Sequence, residues 1–293
     1  MKKFLISTVC IVLAICGLQA QNVKFGIRGG LNLPNITAGG KNTPVSEGYK
    51  SRMAAGAGIF TELQLNPLFS VRFGVEYSGQ GGQKNGMQAM PTQRLVTEIG
   101  SSMGILGMTA EQQMALGGFA GWAKQNPYYY AKVDNTAKFD YVMIPLLAQF
   151  GWNIGQSPWR VYVNGGPFVS FLLTGKQVSK GTSKLYSDAS GTTTLWDGLP
   201  QPVKDMITPV FPDMDQRLGA DIPFGTTNIT SELKSANFGI TGNVGVRYQF
   251  RRNYFFLEAG GNYGLIAVQK DDANGSNRLG AASVMVGYAF SLF

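Results

Sequence analysis

The chain has 293 residues, with 25 Lys and Arg against 17 Asp and Glu, a formal charge of +8 and no histidine. The missing histidine excludes His-based triads and histidine-containing zinc sites. Only 14% of residues are charged, beside 39 glycines, 18 phenylalanines and 12 tyrosines, a balance that points to an all-β barrel rather than an ordinary soluble domain.

Met1-Lys2-Lys3 precedes an apolar run from Phe4 to Cys16, and Gly17-Leu18-Gln19-Ala20 closes it. A charged start, a short apolar run and a small final residue predict a signal peptide over residues 1–20, cleaved after Ala20. The run is too short to span a membrane comfortably. A lipoprotein would need cleavage before Cys16, where bulky Ile15 stands in place of a small residue. Cys10 and Cys16 both fall in this leader, so the mature chain has no thiol for a disulfide or a metal. Without Lys2 and Lys3 the balance is 23 basic to 17 acidic residues. They are scattered, which speaks against nucleic acid and for an arginine-lined barrel near anionic lipid.

After the leader no apolar run approaches the length of a transmembrane helix. Eight segments alternate with period two instead. They are 23–32, 52–65, 69–80, 139–152, 159–173, 237–250, 254–265 and 278–293. In the first, Val23, Phe25, Ile27 and Leu31 share a face; in the third, Val71, Phe73, Val75 and Tyr77 do; in the last, Ala282, Val284, Val286, Tyr288 and Phe290 do. Charges fall on the opposite faces: Lys24, Arg28, Arg52, Glu62, Arg72, Glu76, Arg160, Arg247, Glu258 and Arg278.

The connections sort strictly. Asn66-Pro67-Leu68, 153–158 and Arg251-Arg252-Asn253 are short; 34–50, 81–136, 175–235 and 269–277 are longer. A sandwich has no reason to put every tight turn at one end, whereas an outer-membrane barrel does. Aromatics sort with them. Phe69, Phe150, Trp152, Trp159, Phe250, Tyr254 and Phe290 lie beside short turns, and Tyr77, Tyr141, Phe171, Phe238 and Tyr263 lie toward the long loops, as two interfacial belts.

Eight strands enclose a lumen that side chains fill. Arg28, Arg72, Glu76, Arg247 and Glu258 are the candidates for a lumen charge network, read as structural pairing ahead of an anion-selective lining. Pro145 and Pro167 each remove a ladder donor, so local distortion is expected at both.

Two loops, 81–136 and 175–235, are too long for simple connections. In the first, Thr92 can start a helix through Ile99, and Thr109 with Gln112 forms a capping-box pattern before Met114, Leu116, Phe119 and Trp122. Gly117, Gly118 and Gly121 weaken that second helix. The second loop carries Pro200, Pro202, Pro209, Pro212 and Pro223 and reads as irregular or ordered on binding; Asp213 and Asp215 read as solvated rather than calcium-binding. Tyr128 to Val133 and Thr192 to Leu195 are places where extra strands could hide.

Gly100-Ser101-Ser102-Met103-Gly104 matches G-x-S-x-G but follows no strand and has no histidine partner. No cofactor or metal motif stands out. At the C-terminus, Tyr288, Phe290 and Phe293 are candidates for the assembly signal. Counting back from Phe290 meets Tyr288, Val286, Val284 and Ala282; counting back from Phe293 meets Ser291, Ala289 and Gly287. The signal therefore ends at Phe290.

The stretches FGIRGGLN (25–32), YVMIPLL (141–147), YVNGGPFVSFLL (162–173), FLEAGGNYGL (256–265) and VGYAF (286–290) resemble the PorT-like outer-membrane β-barrel family of Bacteroidota. The resemblance covers the barrel segments and not the two long loops. Met143 departs from it, standing where the family commonly has an acidic residue before Ile-Pro. The resemblance implies insertion by the barrel-assembly machinery and association with type IX secretion or gliding components.

The expectation is an all-β, antiparallel transmembrane β-barrel of eight strands over 21–293, with short periplasmic turns and long extracellular loops. It sits in the bacterial outer membrane with its N-terminus in the periplasm, as a non-enzymatic envelope protein. Its expected partners are outer-membrane lipid and lipopolysaccharide, the assembly machinery, and envelope or secretion-complex proteins. The competing expectation is a small-solute porin with an arginine-lined lumen.

Overall fold

A computed structural model describes residues 23–38, 44–103, 108–271 and 276–291. The expected leader and Phe293 lie outside them. In chain order the elements are β1 (Val23–Ala38), β2 (Ala54–Gln64), β3 (Phe69–Lys84), β4 (Met87–Pro91), α1 (Thr92–Met103), α2 (Ala110–Gln125), β5 (Tyr128–Lys132), β6 (Asp134–Asn153) and β7 (Trp159–Lys180). There follow β8 (Thr182–Ser183), β9 (Leu185–Tyr186), α3 (Gln201–Ile207), α4 (Met214–Gly219), β10 (Ile222–Pro223), β11 (Thr226–Asn228), β12 (Ala236–Phe250), β13 (Asn253–Gly264) and β14 (Asn277–Phe290).

Eight long antiparallel strands pair in the order β7-β12-β13-β14-β1-β2-β3-β6, and β6 pairs back on β7, so the sheet closes. Closure gives every wall strand two neighbours, which an apolar solvent demands. The alternation orients the wall. Ile27, Ile59, Phe73, Val163, Ile240 and Val284 stand exposed outside, while Phe60, Arg72, Tyr162, Arg247 and Met285 are buried inside. Arg278, expected to face inward, instead shares the parity of exposed Val284 and Val286 and pairs with Thr37 in the ladder. Among the described residues no helix is long and apolar enough to cross a membrane, which says nothing of strands.

The tight turns explain themselves locally. Asn66 Oδ1 accepts from the Leu68 and Phe69 amides at 2.8 Å each, folding the β2–β3 turn around one side chain. Arg251 takes a positive φ of 54° in the two-residue turn between Phe250 and Asn253.

At this end the outer aromatics touch: Phe69 and Phe150 have centroids 5.0 Å apart, Trp159 and Tyr248 5.0 Å, Phe255 and Tyr288 4.9 Å. Two expected belt members are not in a belt. Tyr254 and Tyr141 have inward parity and are buried in the lumen.

Pairing lapses at both prolines without a change of register: β3–β6 passes from Phe73↔Leu146 to Glu76↔Met143, and β6–β7 from Pro145↔Phe168 to Ala148↔Gly165. The register shift itself lies elsewhere, between Asp140 and Tyr141, where Leu173 is the extra residue of β7.

The long-loop end departs most from expectation. Strands β3, β6 and β7 run on past the expected ends at Gln80, Phe139 and Leu173, so loops 81–136 and 175–235 are partly wall. Tyr128–Lys132 is a strand, but it joins β4 and β9 in a separate three-stranded sheet and leaves the ring at eight. Within Thr192–Leu195, Thr194 makes an isolated bridge to Tyr186. The second loop is not irregular: it supplies α3 and α4.

Both loops share one apolar core. Leu95, Phe119, Trp122, Tyr129, Leu195, Leu199, Ile207, Met214 and Leu218 pack together as a cap over the mouth. Thr109 caps α2 as expected: its side chain accepts from the Gln112 amide at 3.2 Å, and Gln112 Oε1 accepts from the Thr109 amide at 3.0 Å. The helix continues through its glycines, and a Cβ at Gly118 would collide with Met206 in α3, so the close approach uses that glycine. Gly100 to Met103 end α1 and Gly104 lies outside the described residues. Asp213, just before α4, and Asp215, in its first turn, are both exposed.

Candidate functional site

Inward-facing residues from all round the ring meet on the barrel axis. Arg28 Nη2 lies 2.6 Å from Glu76 Oε2 and its Nη1 2.5 Å from Glu258 Oε1. Arg72 Nη1 reaches Glu258 Oε2 at 2.7 Å. Tyr162 and Asn164 donate to the same oxygen at 2.9 and 3.1 Å. Four of the five residues singled out from sequence thus join in one cluster. The fifth, Arg247, is not bonded to it. It pairs with Glu62, Nη1 to Oε1 at 3.0 Å, and Tyr254 donates its hydroxyl to Glu62 Oε2.

Glu62, Arg72, Arg247 and Glu258 are 0%, 2%, 1% and 1% exposed. Burying such charges is tolerable only with partners in good geometry. Aromatic rings complete the packing: Arg72 lies 4.6 Å from the Phe60 centroid and 5.4 Å from that of Phe256, and Arg247 4.7 Å from that of Tyr254.

Glu62, Tyr162, Asn164 and Tyr254 were not among the sequence candidates for this network. Glu62 did carry the inward parity. Its partner is 185 residues away, so parity was the only signal available.

Further layers fill the lumen on either side. Toward the short turns, Gln149 donates to Ser70 Oγ at 3.1 Å, and Arg160 donates to the Pro67 carbonyl. Toward the loops, Met143, Phe168, Ser78, Gln80 and Asn237 surround a void of only about 10 Å3. Above them Ile36, Phe139, Tyr141, Leu233 and Leu279 form an apolar floor.

On that floor, beneath the cap, lies a chamber of about 350 Å3. Ile36, Phe139 and Leu233 face it from below, and Gln88, Leu95 and Tyr129 from the cap side. Its charged lining is matched. Arg94 meets Glu98 at 3.2 Å and Glu232 at 3.8 Å, and Lys84 Nζ donates to the Pro44 carbonyl at 2.8 Å. Burial, with the Glu98 carboxylate nearby, pushes the Tyr129 hydroxyl up to about 12. No group of three or more His, Cys, Asp or Glu among the described residues could hold a metal ion.

At the end of the barrel, Phe290 contacts Phe25 at 6.5 Å and Tyr288 at 6.2 Å between centroids. Phe25 and Phe290 are the last register pair of the β1–β14 seam.

A family model described as an outer membrane protein beta-barrel domain matches residues 19–269. No curated protein matches the sequence. Among solved structures, Neisserial surface protein A is 12% identical, with 92% of this chain and 97% of that chain covered, at a TM-score of 0.33. A major outer membrane protein of Thermus thermophilus is 13% identical over 92% and 98%, at 0.37. The outer membrane protease OmpT of Escherichia coli is 9% identical over 93% and 97%, at 0.41.

Proposed function

The chain belongs to the outer membrane protein beta-barrel domain family, and from that premise we propose that it is a non-enzymatic barrel acting in envelope interaction or assembly through its folded cap. The observation that carries this reading is the filled lumen. The two charge clusters, the small void and the apolar floor follow one another along the axis. A ring of eight strands has room for side chains and little else, so the working surface is the cap. In this reading the short turns and the N-terminus face the periplasm, and the cap faces outward beyond the lipopolysaccharide. Association with type IX secretion components rests on the PorT-like motifs and names the class of envelope partner to seek first.

Two measurements test the reading. Purified, folded chain in planar bilayers should show no steady conductance; regular single-channel steps would favour the small-solute porin instead. Crosslinking in intact envelopes, from cysteines placed singly on the cap, should give discrete protein adducts. Adducts with lipid alone would count against it.

A further inference from the structure

Beneath the cap, polar groups without partners face a partly open chamber. Gln88 and Tyr129 are 5% and 6% exposed, and both line the chamber. The Gln88 amide nitrogen donates to the Lys84 and Val133 carbonyls at 2.6 and 2.5 Å. Both its N–H bonds are thus used, and its Oε1 accepts from no described residue. The Tyr129 hydroxyl also has no hydrogen-bond partner among the described residues. Solvent reaches both of these atoms, whereas Asn135 Oδ1, from another residue that lines the chamber and is 6% exposed, is buried with no partner among the described residues. A buried polar atom left so is rare in folded proteins and marks a place where a ligand completes the set.

The space has the size of a site. About 350 Å3 falls at the lower end of small-molecule pockets, typically about 300–1,000 Å3. Its charged walls are balanced, two cations against two anions, and each cation is already engaged. A charged ligand would find no free countercharge there and would lose its hydration. The free groups ask for hydroxyls: Gln88 Oε1 requires a donor, and the Tyr129 hydroxyl can donate or accept. Around them Tyr49, Phe139 and Leu95 supply apolar surface suited to the C–H face of a ring.

We propose that the chamber between cap and barrel binds a small neutral saccharide, one or two rings in size, whose hydroxyls engage Gln88 and Tyr129. The ring rests on the apolar floor, and the Arg94–Glu232 bridge, joining α1 to the turn at 230–232, lines the same chamber. This rests on the chamber and not on the partner reading of the cap.

The test uses the full chain folded in detergent micelles, with glucose and maltose as neutral probes and glucuronate and glucosamine as charged ones. Saturation-transfer NMR reports binding. At least one neutral probe should show saturable transfer, strongest at ring C–H protons, and the charged probes should show weaker transfer. Tyr129→Phe removes only the hydroxyl and should weaken binding about three- to tenfold. Ala89→Phe, which fills the chamber from β4, should abolish it. Heat-modifiable migration and near-UV circular dichroism establish that both variants are folded, and Gln88→Leu replaces either that is not. Absence of saturable transfer from every neutral probe overturns the proposal. So does binding that survives both folded variants, or a preference for either charged sugar.

Discussion

Glu62 and Arg247 stand on strands four apart in a ring of eight, β2 and β12, yet they meet at 3.0 Å. Two side chains therefore bridge the full width of the barrel. Such a strut fixes the diameter as well as closing the lumen. Removing one end leaves an uncompensated charge in a dry interior. Arg247→Ala should cost about 3–5 kcal/mol, and Glu62→Leu with Arg247→Met should recover most of that loss. Urea unfolding in lipid vesicles measures both. A double variant no better than Arg247→Ala would show that the strut does more than neutralise charge.

Assembly should depend on Phe290 and not on the residues beyond it. Phe290 pairs with Phe25 at the end of the β1–β14 seam and touches Tyr288. Phe290→Ala should lower the amount of folded barrel in outer-membrane fractions, whereas deletion of residues 291–293 should not. Normal levels of Phe290→Ala would show that the signal is read in another register.

Two neighbouring glycines of α2 should respond differently to alanine. Gly117 is exposed, and a Cβ there would meet nothing within 4 Å. Gly117→Ala should stabilise the cap by about 0.5–1 kcal/mol, the ordinary helix preference. At Gly118 the methyl group runs into Met206, so Gly118→Ala should gain less or lose stability. Thermal resistance of the cap to protease gives the comparison. Equal gains at both sites would mean that α2 and α3 are not held closely.

Alkali should loosen the cap. The Tyr129 hydroxyl, ordinarily at 10.0, is raised to about 12. The folded cap therefore holds its proton to higher pH than the unfolded chain. Its stabilising share is complete below about 10 and is lost as pH rises through about 12, with a limiting slope of about 1.4 kcal/mol per pH unit. In Tyr129→Phe that part of the decline should vanish. Near-UV circular dichroism of the cap against pH measures it. Identical curves for the two chains would refute the assignment.

The barrel was largely legible because its signal is local. Alternation such as Phe25-Ile27 or Val71-Phe73-Val75 needs only a few neighbours to be read, and the tight turns announce themselves in Asn66-Pro67 and Arg251-Arg252. The Thr109–Gln112 capping box is equally local. The upper wall was not legible, because Lys176, Gln177 and Ser179 leave the membrane and stop alternating, and Leu173 shifts the phase. The cap core was illegible for another reason: it joins residues as distant as Leu95 and Leu218, and no short window contains both. The strut suffered the same limit, since Glu62 shows its facing and not its partner. Arg278 shares the parity of exposed Val284, so alternation by itself puts it outside, against the expected inward facing.

The overlong strands β6 and β7 have 20 and 22 residues, whereas a tilted strand crosses a bilayer in about 9–11. Roughly ten surplus residues, at about 3.3 Å each and tilted by about 40°, lift the cap some 20–25 Å clear of the lipid. The cap is thus carried on a stalk of wall strands. At that height substitutions on the cap leave the lipid-facing wall untouched.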